Sequence, residues 1–390
     1  MKYATTFATI FAAGVVLHLL FTLSTGRIAG TSKLEAGRSP SNTATGYAPP
    51  TSRKSGSNLN DVFNRTLGFQ EIFVVSLPER SDRRDAFRLQ ASVTDISYSF
   101  MDAVLGKNIP TKAQPWGMHR EPAEVGCWRS HLNVMQYMVQ HRIQTALIFE
   151  ANADWEVALK AQLFQAARGA RWLLDDTEDK PSHSPYGDGW DVLWFGHSGV
   201  TSIETQRRRW VVARDPTVTP PKTRSTFFEP RMETWEVGPA PDTQTRIYFV
   251  SGLGHGSSAW ALTLAGAEKV LYELSLSPFN DPIDSGMGKI CAAHKSNLTC
   301  IAPFPAVVGI SKPAGPLSRD SDILSGLDKG GEVRKKPGSE RTVFSTRLNM
   351  RRILNGSTEY ESQYPDITGK FMTLEDIGRA VGHGEVLPPL

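Results

Sequence analysis

The chain alternates between continuous apolar runs and segments with a helical stripe of large residues, and this alternation begins at residue 71. Glu71-Ile-Phe-Val-Val-Ser-Leu77 is an unbroken run of the kind a strand buried on both faces requires. Pro78-Glu-Arg-Ser-Asp-Arg-Arg84 then opens a helix. Residues 96–101 predict a second short strand. Across 121–141, Val125, Trp128, His131, Leu132, Met135 and Met138 recur at helical spacing behind Glu121-Pro122. Residues 146–155 read as another buried strand, 155–174 as a helix, and Trp190-Asp-Val-Leu-Trp-Phe-Gly196 as a further strand after a polar loop. Residues 207–214 and 246–250 predict more strands, and 258–264 leads into a helix ending near 274. Strands alternating with helices predict an α/β domain on a mainly parallel central sheet.

Outside this block the pattern changes. Residues 3–24 carry no charge and are dominated by apolar side chains, and as a helix at about 1.5 Å per residue they are roughly bilayer-thick. A secretory signal has an apolar stretch of only about 7 to 15 residues. Residues 1–25 therefore predict a signal anchor that crosses the membrane once, while Ser24-Thr25-Gly26 keeps cleavage and secretion open as the alternative. Residues 26–69, rich in Ser, Thr, Gly and Pro, predict a flexible stalk. The globular block spans 70–322, and 323–390, with isolated apolar residues among Gly, Lys and Arg, predicts a loosely ordered tail.

Charge excludes rather than suggests: 43 basic against 40 acidic residues leave +3, which gives no basis for a nucleic-acid partner. Asn64, Asn297 and Asn355 each head a glycosylation sequon, and with the apolar leader they predict a lumenal or extracellular body. Of three cysteines, Cys291 and Cys300 are spaced for a hairpin disulfide in an oxidising compartment. Cys127 is left odd beside Trp128 and reads as a buried structural thiol.

The apolar strand at 146–149 runs into Glu150, Asn152 and Asp154 at alternating positions, so a continuous strand puts all three on one side. Oxygen donors gathered at a strand's carboxyl end are hard ligands for Mg²⁺ or Mn²⁺. There is no phosphate loop, His-Glu-x-x-His, Cys-x-x-Cys or Gly-x-Ser-x-Gly, which removes many hydrolase and NTPase readings. Gly252-Leu-Gly254-His-Gly256 lacks the third glycine of a dinucleotide fingerprint and reads as a turn.

Five motifs occur in order: Val74 to Arg84, Met101-Asp-Ala-Val104, Glu124-Val-Gly-Cys-Trp-Arg-Ser-His131, Ala146 to Asp154, and Trp190 to Gly196. Together they resemble glycosyltransferase family 25, a group that includes lipopolysaccharide and collagen galactosyltransferases. The resemblance implies a GT-A-type domain that transfers a hexose, galactose first, from a UDP-sugar to a glycan or glycoprotein. Inversion, Mn²⁺ (or Mg²⁺) assistance and a type II Golgi membrane address come with that expectation. It implies a donor site of Ser76, Leu77, Arg80, Arg83, Arg84, Glu124 and His131, guanidinium being well matched to phosphate. It implies metal ligation by Glu150, Asn152 and Asp154. The general base is expected at Asp284, with Asp191 second. The family pattern at 150–154 resembles Glu-Asp-Asp-x-Asp, and here Ala151 and Asn152 replace two acids. That loss of charge motivates an alternative: a non-catalytic relative that binds a nucleotide sugar, glycan or partner enzyme.

Overall fold

The computed structural model describes residues 58–176, 182–224, 228–323 and 331–389. The apolar leader and residues 26–57 of the expected stalk lie outside them. No helix among the described residues is long and apolar enough to cross a membrane.

The elements that position the site are β1 (Glu71–Ser76), α1 (Ser81–Val93), β2 (Ser99–Asp102), α2 (Pro122–His141), β3 (Thr145–Glu150), β4 (Ala153–Trp155) and α3 (Leu159–Leu173). There follow β5 (Val192–Gly196), β6 (Gly199–Ser202), β7 (Arg208–Val212), β8 (Arg246–His255), β9 (Ala259–Thr263), α4 (Leu264–Leu271), α5 (Ile283–Ala292), β10 (Cys300–Phe304), β11 (Val308–Lys312), β12 (Gly338–Glu340) and β13 (His383–Val386). The main sheet has the order β13-β7-β8-β10-β5-β9-β3-β1-β2, with β6 also paired to β8.

It is a mixed sheet. β2, β1 and β3 are mutually parallel, as are β5 and β10. The departure from the mainly parallel expectation comes from β9, which inserts antiparallel between β3 and β5, and from β8 and β13 further along. The glycine-rich 252–256 run is part of β8 and the turn after it; a Cβ on Gly254 would lie 2.7 Å from the Trp194 ring.

Alternation along the strands separates two apolar layers. Ile72, Val74, Leu147 and Phe149 pack with Phe87 of α1 and Leu163 of α3 on one face. Phe73, Val75, Ala146 and Ile148 pack with Trp128 and Leu132 of α2, Val270 of α4 and Met287 of α5 on the other. With helices on both faces of the sheet this is an α/β domain, the expected class. α2 is the helix most directly built by local sequence: Glu121 and Glu124 cap its start reciprocally and Pro122 occupies its first turn.

Both flanks of the globular block are more ordered than their composition predicts. Residues 58–69, assigned above to the stalk, contribute Leu59, Val62, Leu67 and Phe69 to the core, and the Phe69 ring stacks on Tyr186 at 4.7 Å. In the expected tail, Thr342, Val343, Phe344, Ser345 and Thr346 are wholly buried. β12 joins β11 and β4 in a second sheet, and β13 closes an edge of the main one. The anchoring groups are polar: Glu156 accepts from Val343 N at 2.5 Å and Phe344 N at 2.6 Å. These contacts join residues nearly two hundred positions apart, so no local window reveals them.

Candidate active site

Parallel strands β1 and β3 end side by side, and their carboxyl ends open into a cavity of about 170 Å³. That is where an open α/β sheet exposes backbone groups not used in pairing. Ser76 and Leu77 leave β1; Glu150, Ala151 and Asn152 leave β3; Cys127, Ser130 and His131 project from α2; Arg83 comes from α1 and Asp322 from the far side. Glycine permits the walls to meet. A Cβ on Gly126 would lie 2.7 Å from Val104 O, and one on Gly106 would overlap Pro122 O at 1.6 Å. Ser130 ties the same corner, donating to Gly126 O at 2.6 Å and accepting from Val104 N at 2.9 Å.

The cavity therefore brings together Ser76, Leu77, Arg83, His131, Glu150 and Asn152 from the residues expected at the site. Arg80 stands at its rim, where it pairs with Asp322 Oδ1 at 2.5 Å, while Arg83 pairs with Asp322 Oδ2 at 2.8 Å. Burial lowers the Arg83 pKa against the attraction of Asp322. Arg84 faces elsewhere, donating to Ser76 O at 3.1 Å and pairing with Asp102. Glu124 is used to cap α2 and to hold Arg120 at 2.6 Å. These two residues buttress the walls without lining the cavity.

The expected metal triad does not converge. β3 stops at Glu150, a turn takes residues 151 and 152, and β4 resumes in the second sheet, so the two-residue alternation is broken before Asp154. Asp154 is fully buried, accepting from Ser345 Oγ at 2.5 Å, Trp155 N at 2.9 Å and Gln90 Nε2 at 3.0 Å. Burial raises its pKa. Arg347 locks the turn from behind by donating to Ala151 O at 2.9 Å and Ala153 O at 2.8 Å. Glu150, Asn152 and Asp154 thus do not form a seat for Mn²⁺ or Mg²⁺.

His131 is buried with neither ring nitrogen hydrogen-bonded; Nε2 lies 3.4 Å from Glu150 Oε1, and Trp260 packs edge-on at 5.0 Å between ring centroids. Asn152 Oδ1 is likewise buried without a partner. Glu150 Oε1 accepts from Ser257 Oγ at 2.5 Å. Cys127 is partly open to the cavity, and burial with the nearby carboxylates pushes its thiol well up. Trp260 itself is wholly buried in the core and offers no face to a sugar.

The two base candidates separate. Asp284 is mostly buried at the start of α5, accepting from Gly256 N at 2.6 Å and Ser285 N at 2.8 Å, with His255 Nδ1 at 3.0 Å. Those hydrogen bonds lower its pKa against burial, and Asp284 in turn raises that of His255. Through Ser257 this loop reaches Glu150. Asp191 precedes the amino end of β5, at the opposite end of the strands from the cavity, held by Lys269 Nζ at 2.7 Å and Thr299 N at 2.9 Å. It lines a different cavity and is not part of this site. Cys291 and Cys300 are joined by a disulfide, and Asn64, Asn297 and Asn355 are all exposed.

Residues 69–170, which include β1, α1, α2 and β3, match the model of glycosyltransferase family 25 (LPS biosynthesis protein). Over that segment the chain is similar to family 25 proteins. Some similar curated proteins carry the same family name, and others are named procollagen galactosyltransferases. The human "Inactive glycosyltransferase 25 family member 3" is 24% identical over 324 residues, 76% of this chain and 46% of that protein. Human "Procollagen galactosyltransferase 2" is 29% identical over 155 residues, 36% of this chain and 23% of that protein. The Xenopus laevis "Procollagen galactosyltransferase 1-A" is 25% identical over 172 residues, 40% and 26% respectively. The chain spans less than half the length of these relatives. The family 25 match ends before β5, so Asp322, His255 and the 338–349 strap around the site lie beyond it.

Cys127, Ser257, His255 and Asp322 are the site residues that sequence reasoning did not assign. Only one had a signal: Cys127 precedes His131 by four residues on a predicted helix, which places both on one face.

Proposed function

We propose that this chain is a glycosyltransferase that binds a UDP-sugar at the carboxyl ends of β1 and β3 and transfers its hexose to a glycan or glycoprotein. The observation that carries the reading is the convergence of Arg83, His131, Glu150 and Asn152 on one cavity between those strand ends. Arg80 and Arg83 are the diphosphate contacts, since both guanidinium groups pair with Asp322, a carboxylate that a diphosphate can displace, while Asp82 holds Arg80 in place. Inverting transfer needs a base for the acceptor hydroxyl. Asp284 already accepts two backbone N–H bonds, so in this proposal it orients His255, half-exposed, whose free nitrogen takes the proton.

The test is calorimetry with UDP and UDP-galactose, followed by product analysis with glycan and glycoprotein acceptors. Saturable UDP binding that Arg83→Ala weakens, together with transfer, supports the proposal; absence of UDP binding in folded protein sinks it. A second reading is favoured by Ala151, Asn152 and the inward-turned Asp154: a relative that binds the donor without turnover. Binding with no transfer, and transfer gained in Ala151→Asp plus Asn152→Asp, would select it.

We also propose residence in the secretory pathway, supported by the disulfide and the exposed sequon asparagines, with residues 3–24 as a type II anchor in the Golgi membrane. Amino-terminal sequencing of the mature protein separates the anchored form from a secreted one.

A further inference from the structure

We propose that Cys127, His131 and Glu150 form a divalent-cation site of mixed sulfur, nitrogen and oxygen donors, open to the cavity and suited to Zn²⁺ rather than Mn²⁺ or Mg²⁺. One ligand atom from each lies within 4.8 Å of the others. Cys127 and His131 are one turn apart on α2, and Glu150 meets them from the end of β3. A tetrahedral ion with bonds of about 2.0 to 2.3 Å wants donors about 3.3 to 3.8 Å apart, so an adjustment of about 1 Å completes the site.

The independent sign of a ligand is the imidazole. His131 is 1% exposed, both of its nitrogens lack hydrogen-bond partners, and it lines the cavity. A buried ring left in that state is costly, and an ion accepting one nitrogen lone pair removes much of the penalty. Asn152 Oδ1, orphaned on the same wall, is a neutral oxygen placed to support the ion or its water. The edge of Trp260 fixes the imidazole, and Ser257 fixes the carboxylate, the outer contacts that orient metal ligands.

Donor chemistry decides the ion. Mn²⁺ and Mg²⁺ prefer sets of oxygens, whereas thiolate with imidazole and one carboxylate matches Zn²⁺ or Co²⁺, with a fourth position left for water or an anionic ligand. On binding, Cys127 gives its proton to solvent and coordinates as thiolate. The site does not depend on sugar transfer and stands or falls separately from it.

Cobalt supplies the test. The chain has three cysteines and two form the disulfide, so a sulfur-to-cobalt charge-transfer band can arise only from Cys127. Metal-free full-length protein titrated with Co²⁺ should develop that near-ultraviolet band, with tetrahedral visible bands, at one ion per chain. Zn²⁺ should bleach it, and equal Mn²⁺ or Mg²⁺ should not. Cys127→Ser should abolish the band and weaken Co²⁺ binding at least about 100-fold. Glu150→Gln, a partly exposed and nearly isosteric change, should weaken binding while keeping the band. No charge transfer in folded wild type, unchanged affinity in Cys127→Ser or in Glu150→Gln, or displacement by Mn²⁺ as readily as by Zn²⁺ would overturn the proposal. UDP binding, measured on the same samples, reports on the transferase reading alone.

Discussion

Asp322 holds two guanidinium groups at the mouth of the cavity, and any diphosphate that uses Arg80 and Arg83 must compete with it. Its side chain is 35% exposed, so the pairing is screened and worth about 1 kcal/mol or less. Asp322→Ala should therefore tighten UDP binding by roughly threefold to fivefold in calorimetry, and an unchanged or weaker affinity would place the diphosphate elsewhere. The His255–Asp284 pair makes a second prediction at this scale. Asp284 raises the imidazole pKa, so His255 in the folded chain should titrate above its ordinary 6.5, and Asp284→Asn should bring it down, as read by NMR. The raised His255 pKa contributes stability that is present at low pH and lost as pH rises through its folded value. The lowered Asp284 pKa contributes stability lost as pH falls through its own. If His255 is the base, transfer should rise with pH across its folded pKa.

Elements explain why the most promising motif read differently in three dimensions. The stretch from Ala146 to Trp155 looks like one strand, and residue alternation then aligns Glu150 with Asp154. The chain instead turns at Ala151 and Asn152, because β4 finds its partner in β11 of another sheet. Asp154 and Glu156 consequently anchor the carboxyl-terminal strap at Ser345 and at Val343 and Phe344. Burial pushes the Glu156 carboxyl up to about 8, against the opposing pull of its two N–H donors. Between about 4.5 and 8 the folded protein holds a proton that the unfolded chain has released, so this group lowers stability as pH climbs. Thermal unfolding across that window should show the decline, and Glu156→Gln should flatten the slope while lowering stability at pH 5 by about 1 to 3 kcal/mol. An equal slope in the variant would reassign the titration to another group.

For the molecule as a whole, the strap and β13 make residues 331–389 part of the globular body. Val343 and Phe344 fill a small core with Ala158 and Ile377, and β13 covers the edge of β7. Ending the chain after Asp322 should remove those contacts, orphan Glu156, take the Ser345 hydrogen bond from Asp154, expose the β7 edge, and lower Tm by at least about 5 °C, with aggregation as the accompanying sign. A shorter chain with unchanged Tm would make the strap dispensable.

Ser76, Arg83 and His131 were legible only through the resemblance to family 25, whereas the local code alone determined the strand–helix alternation from β1 to β5, the inward stripe of α2 and Glu150 at a strand end. The latter follow from short-range rules: apolar runs, helical spacing, and the habit of α/β sheets to expose function at strand ends. Only tertiary structure decided that β9 runs antiparallel through the sheet, that Asp191 stands at the opposite end of the strands from the cavity, and that Asp154 faces inward. It also decided that Asp322 reaches Arg80 from 242 residues away. Those outcomes are long-range pairings, chosen by which distant backbone and side-chain groups satisfy buried hydrogen bonds, and no window of the sequence contains both partners.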